Sequence, residues 1–358
     1  MTQEATTAKA TSLHEVHRKA GATFASSDGW EIPGVYSSVA EEYRALRKGI
    51  ALADRSHWGR LRIRGKDALD LLNRLSTNSL MELDRGQGAT TVLTSSKGRI
   101  IDLLLIVNLG DELLVITSPQ TLDRVIEWLD FYTFDEDISV EDVTEETAML
   151  SLMGPGAVQL LGGQAVALEL PNASHVSVQD IGVTAISTDA YGIAWYDLLV
   201  PASQAGAVWE ALCQSGAVPV GEEALEVLRV EQGVPRYGRE LSEEFNPLEA
   251  GMLSSISFEK GCYIGQEVVL RLKTYNKVQK HLMGIALGDA DVSPGARLEV
   301  DGKNAGLITS VVDSPLLGQR LALGYVRTAY ASAGQQVDVK DGDLAAVGRV
   351  TDLPVRGG

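Results

Sequence analysis

The residues with the clearest chemical promise lie in the first part of the last third of the chain. They form the run Lys260-Gly261-Cys262-Tyr263-Ile264-Gly265-Gln266-Glu267, with Arg271 one helical turn further on. A cysteine thiolate is a nucleophile and a soft ligand. Lys260 two residues before it, and a helix predicted over Val268–Lys273 after it, would both stabilise that thiolate. Gly261 and Gly265 allow a tight backbone around the sulfur, and Glu267 with Arg271 has the i, i+4 spacing of an ion pair on a helix face. The competing reading is packing, because free cysteines commonly behave as small buried hydrophobes. A thiol flanked by lysine and glycine is an odd core element, so Cys262 and Lys260 are taken as catalytic candidates. Gly261, Tyr263, Gly265, Gln266, Glu267 and Arg271 form the motif that carries them.

Elements that could position such residues follow from periodicity. Ser37–Arg47, Lys66–Leu75, Thr121–Leu129, Ser203–Cys213 and Gly221–Gly233 predict helices. Gly59–Gly65 alternates as a half-buried strand whose arginines, Arg60 included, take the wet face. Lys97-Gly98 reads as a hairpin turn leading into a strand over Arg99–Asn108, which pairs with Glu112–Thr117. Asp135–Glu146 is an acidic connector around one strand. Ala148–Leu161 reads as strand, turn at Gly154-Pro155, and helix. Beyond His281 short strands recur between turn signals such as Pro294-Gly295 and Asp301-Gly302, the pattern of a small all-β barrel.

Length and composition set outer limits. A chain of 358 residues suggests two or three domains. The formal net charge of −17 repels a phosphate backbone and an anionic bilayer, which argues against nucleic-acid and membrane partners. Two cysteines, Cys213 and Cys262, are no disulfide framework and point to a reducing, cytoplasmic setting. With five scattered histidines they show no metal-ligand spacing, so no metal site is expected. Residues 1–10 read as a disordered tail without the apolar segment of a signal peptide.

Several further segments share an order and spacing with one family. They are Gly29-Trp30-Glu31-Ile32-Pro33, Ala53-Asp54-Arg55-Ser56-His57-Trp58-Gly59, Thr77-Asn78, Gly98 to Asp102, Gly154-Pro155, and Gly324-Tyr325-Val326-Arg327. Together the chain resembles the glycine-cleavage T-protein superfamily, and the run around Cys262 resembles the signature of its YgfZ-type branch. The resemblance implies an α+β fold, with two α/β folate-binding domains around a central cavity and a C-terminal β-barrel over 276–358. The folate-binding region would span 11–275, with 56–145 inserted between 11–55 and 146–275. It implies tetrahydrofolate, or a one-carbon derivative, as cofactor.

The same resemblance implies roles for Asp102, Tyr191 and Asp197 as folate contacts. Asp197 stands where the family has a glutamate that meets the pterin ring, and a carboxylate suits that two-donor edge. Bland readings compete at each: Asp102 bonding a neighbouring N–H, Tyr191 edging a core, Asp197 facing solvent. His57 reads as a satisfied structural histidine and Trp30 as packing. Where T-proteins carry a second aspartate near the reacting folate nitrogen, this chain has Leu103, and family aromatics appear as Thr90 and Val107. Three functions stay in contention. The first is a folate-binding accessory protein for iron–sulfur cluster assembly or repair, whose partners are iron–sulfur enzymes or their assembly machinery. The second is an aminomethyltransferase of glycine cleavage, and the third a non-catalytic interaction protein regulated by folate.

Overall fold

The computed structural model describes residues 8–162, 171–188 and 191–356. Its two larger sheets are nested in sequence. The first runs in the order Asn172–Val178, Ile181–Thr188, Trp195–Pro201, Thr147–Met153, Ala51–Asp54 and Val218–Pro219. The second contains Gly88–Thr94, Ile100–Asn108, Leu113–Thr117, Gly59–Arg64 and Ser139–Asp142, all from the stretch between two adjacent strands of the first. Six strands between Lys280 and Thr351 close a barrel. The molecule is therefore α+β with an all-β C-terminal body.

Alternation explains how the first sheet buries both faces. In Trp195–Pro201, Tyr196, Leu198 and Val200 point to one side, against Val208, Trp209 and Leu212 of the helix Ala205–Gln214. Trp195 and Asp197 point to the other. That second face is covered by the helix Glu222–Gln232, with Ala224, Leu225 and Leu228 packed on Ala51, Ala53, Met153 and Trp195. The same helix also faces the barrel. Arg229 donates to Glu240 at 2.9 Å and to Ser310 Oγ at 2.7 Å. Glu231 accepts from Tyr43 OH at 2.5 Å and from Ser314 Oγ at 2.6 Å.

Some expectations change. Lys9–Ala10 is a short strand paired in parallel with Trp30–Glu31, so the predicted tail is ordered at its end, while residues 1–7 lie outside the described residues. Arg60 is fully buried rather than on a wet face. Its guanidinium donates to the carbonyls of Ser56, Trp58, Thr144 and Thr147, because the loops on either side of the strand turn their carbonyls onto it. Burial lowers its pKa to about 10, and the result is a pin through the loop Ser56–Trp58.

Candidate functional site

A small cleft of about 40 Å³ opens beside the first sheet, walled by the loop after Ala51–Asp54, the start of Trp195–Pro201, the helix Glu222–Gln232 and Arg236. Tyr191 stacks on Trp195 with centroids 4.0 Å apart and planes 15° from parallel. The Trp195 indole N–H donates to Asp197 Oδ1 at 2.9 Å, and Ser151 Oγ donates to the same oxygen at 2.5 Å. Among the described residues nothing bonds Asp197 Oδ2. Asp197 is thus buried, not solvent-facing, with one oxygen fixed and one open. Such a half-satisfied carboxylate beside a flat aromatic wall can accept from the adjacent donors of a planar ring. That donor set fits the pterin edge of tetrahydrofolate. Of the predicted folate contacts, Tyr191 lines this cleft, whereas Asp197 lies behind Trp195 and is not among the lining residues.

Asp102 does not join them. It is sealed, and all its acceptor capacity goes to the chain: Oδ1 takes Leu103 N–H at 2.9 Å and Ser118 Oγ at 2.7 Å, and Oδ2 takes Ser118 N–H at 2.9 Å and Thr121 Oγ1 at 2.6 Å. Burial outweighs those bonds and lifts its pKa to about 6. Its bonds tie the strand Ile100–Asn108 to the start of the helix Leu122–Phe131. Leu103 packs with the apolar cluster of Val92, Ile100, Leu241, Phe245 and Tyr325.

The motif around Cys262 is built differently from expectation. Lys260 does not serve the thiol: its ammonium donates to the carbonyls of Asn73, Ser76 and Asn78 at 2.5, 2.9 and 2.6 Å, at the C-terminal end of the helix Ala68–Leu75. Carbonyls gathered at a helix end attract a cation. Burial still lowers the Lys260 pKa to about 8. Ile264 N–H bonds Arg74 O, Thr94 Oγ1 bonds Ile264 O, and Gln266 Nε2 reaches back to Gly261 O. Gly265 has φ +84°, and a side chain there would meet Ser95 O at 2.6 Å and Gly98 Cα at 3.0 Å, so the loop locks against the 95–98 turn. The helix begins at Gln266, capped by Gly265, which leaves Cys262 on the loop and exposed. Tyr263 is buried with its hydroxyl unpartnered among the described residues, and burial pushes its pKa up to about 12. Glu267 and Arg271 form no ion pair among the described residues; they line a shallow groove with Val268 and Lys277. Cys262 does not line the cleft.

Sequence reasoning passed over Arg55, Trp58 and Trp195, although Arg55 and Trp58 stand in a segment quoted for the resemblance and Trp195 lies two residues before Asp197. An arginine three residues before a tryptophan, after a buried strand, was the available signal. His57 also departs from expectation. It is buried with neither ring nitrogen bonded among the described residues, and burial beside Arg55 drops its pKa to about 3, so it stays neutral. Trp30 is half-buried on the N-terminal hairpin, with Lys9 5.5 Å from its ring centroid.

With this geometry described, relatives can be compared. Residues 13–260 match the model of the GCVT N-terminal domain, and 280–355 that of the glycine cleavage T-protein C-terminal barrel domain. An aminomethyltransferase of Symbiobacterium thermophilum is 34% identical over 97% of this chain and 96% of its own length. A chloroplastic protein of Arabidopsis thaliana, named as a presumed transferase, is 34% identical over 88% of this chain and 73% of its own. The solved glycine cleavage system aminomethyltransferase T of Bartonella henselae superposes with a TM-score of 0.89 over 98% of this chain and 99% of its own, at 23% identity, a likeness of fold. These names speak for the transferase alternative more than for the iron–sulfur reading. No helix among the described residues is long and apolar enough to cross a membrane. By the extent of these matches, the chain belongs to the glycine-cleavage T-protein (GCVT) family.

Proposed function

We propose that this chain is a tetrahydrofolate-binding protein of the cytosol that has kept the folate cleft of its family without the family's transfer chemistry. The observation that carries this reading is the open Asp197 Oδ2 beside the stacked pair Tyr191 and Trp195. Asp197 accepts from the pterin's donor edge, and Trp195 and Ser151 hold the carboxylate in place. Tetrahydrofolate, when bound, supplies the amine that carries a one-carbon unit. Against transfer stands Leu103: a hydrocarbon side chain in an apolar cluster can neither orient nor charge-stabilise an amine, and Asp102 has no acceptor capacity to spare.

The exposed Cys262, on a loop anchored at four points, supports a role in iron–sulfur cluster assembly or repair, contacting the enzymes concerned or their assembly machinery. Any cluster held there would take further ligands from the partner, since Cys213 is the only other thiol. A second reading, aminomethyl transfer to tetrahydrofolate, is favoured by the names of the relatives, 30–34% identical over most of the chain.

Calorimetric tetrahydrofolate binding measured beside glycine-cleavage turnover with a lipoylated carrier tests both. Binding without turnover is expected. Robust turnover would put the second reading first, and absence of binding would remove both.

A further inference from the structure

Arg55 enters the cleft from the loop after Ala51–Asp54, with its guanidinium 4.0 Å from the Trp58 ring centroid and 5.4 Å from that of Trp195. The residue is 7% exposed. Its side chain nevertheless has no ion pair and no hydrogen bond among the described residues, and none of its nitrogens is sealed from solvent. A buried, unpaired cation is costly. Guanidinium has two π faces and an edge of five N–H donors. Here two indole rings lie against the guanidinium, and its N–H donors are left to the open cleft it lines.

The other lining cations are already matched. Arg229 pairs with Glu226 at 2.6 Å and Glu240 at 2.9 Å, and Arg236 pairs with Glu222 and with Asp28 at 3.3 Å. Arg55 is therefore the one lining guanidinium, among the described residues, without a carboxylate. The paired acids Glu222 and Glu226 also line the cleft, so there is room for one carboxylate at Arg55 and any second one stays outside in solvent.

We propose that Arg55 is the anion-receiving residue of the cleft, taking one carboxylate of a small aromatic ligand edge-on through two parallel N–H···O bonds. The aromatic part follows from the walls, since Trp58, Tyr191 and Trp195 offer ring surface to a flat ligand. Two sources share this chemistry: the benzoyl-glutamate tail of a folate, and a free aromatic acid. Only the first rests on the folate reading above.

Isothermal titration of the full chain with three probes separates them: p-aminobenzoylglutamate, which has tail and no pterin; 6-methyltetrahydropterin, which has ring and no carboxylate; and benzoate. In Arg55→Gln, affinity for p-aminobenzoylglutamate falls tenfold or more, while that for 6-methyltetrahydropterin stays within about twofold. Arg55→Lys, which keeps the charge and loses the fork, recovers only part of the loss, and it stands in if the glutamine variant melts early. Carboxylate binding that depends on Arg55, without any pterin binding, keeps this inference and removes the folate reading; benzoate binding with the same dependence then assigns a free aromatic acid. If the wild type does not bind p-aminobenzoylglutamate, or binds it no better than the variants, the inference is overturned, whatever the pterin does.

Discussion

Trp195 donates its indole N–H to Asp197 Oδ1 from two positions earlier on the same strand. Residues at i and i+2 share a sheet face, so the ring that forms the cleft wall also sets the orientation of the carboxylate behind it. Asp197→Ala is predicted to weaken tetrahydrofolate by on the order of 1.5–3 kcal/mol. Trp195→Phe, which keeps a ring and loses the N–H, should cost about 1 kcal/mol. Parallel calorimetric titrations check both, and equal affinity in wild type and Asp197→Ala would remove the pterin contact.

Lys260 and Cys262 are neighbours with opposite expected behaviour. Lys260→Met leaves three carbonyls without their cation and should lower stability by about 2–3 kcal/mol. Cys262→Ala alters an exposed side chain and should stay within about 0.5 kcal/mol. Urea unfolding measures both. In a strain lacking the native protein, Cys262→Ala should nonetheless fail to restore iron–sulfur enzyme activity under oxidative load. Full restoration would leave the thiol without a role.

Leu103→Asp inserts a carboxylate into the cluster of Val92, Phe245 and Tyr325. The expected result is a loss of about 3 kcal/mol or more, with no gain of aminomethyl transfer. A stable variant with new turnover would show that this site still accommodates the family's acid.

Asp102 gives the fold a pH signature. Its folded pKa of about 6 lies above the ordinary 3.8, so the folded state binds the proton more tightly than the unfolded chain. The stability this adds is fully present below about pH 4 and is lost as pH rises to about 6 and beyond. Relative to Asp102→Asn, the wild type should lose on the order of 3 kcal/mol over that window. Unfolding midpoints at pH 4, 5, 6 and 7 give the comparison, and parallel profiles would contradict it.

Legibility from sequence follows the range of the interactions. The helix Glu222–Gln232 was readable with its flanking Gly221 and Gly233, as was the turn at Lys97-Gly98, because caps and turns are local. The barrel was readable from recurrent turn signals. Arg60 was misplaced because its partners are carbonyls of two loops, one of them more than eighty residues away. Lys260 was assigned to the thiol beside it, whereas its partners lie 182 to 187 residues earlier. Asp102 finds its donors 16 and 19 residues further on. Arg55 matters for the partner it lacks, which no pattern in the chain displays.

The helix Glu222–Gln232 carries Leu225 on the cleft and, through Arg229 and Glu231, grips the barrel at Ser310 and Ser314. Cutting the chain ahead of Lys280 would strip both charges of barrel partners and open a hydrophobic flank at Phe245, which stacks on Tyr325 at 3.9 Å. The barrel is thus no detachable appendage. A truncated N-terminal piece should be prone to aggregation, and a protease nick near residue 277 should leave two fragments that stay together and still melt as one.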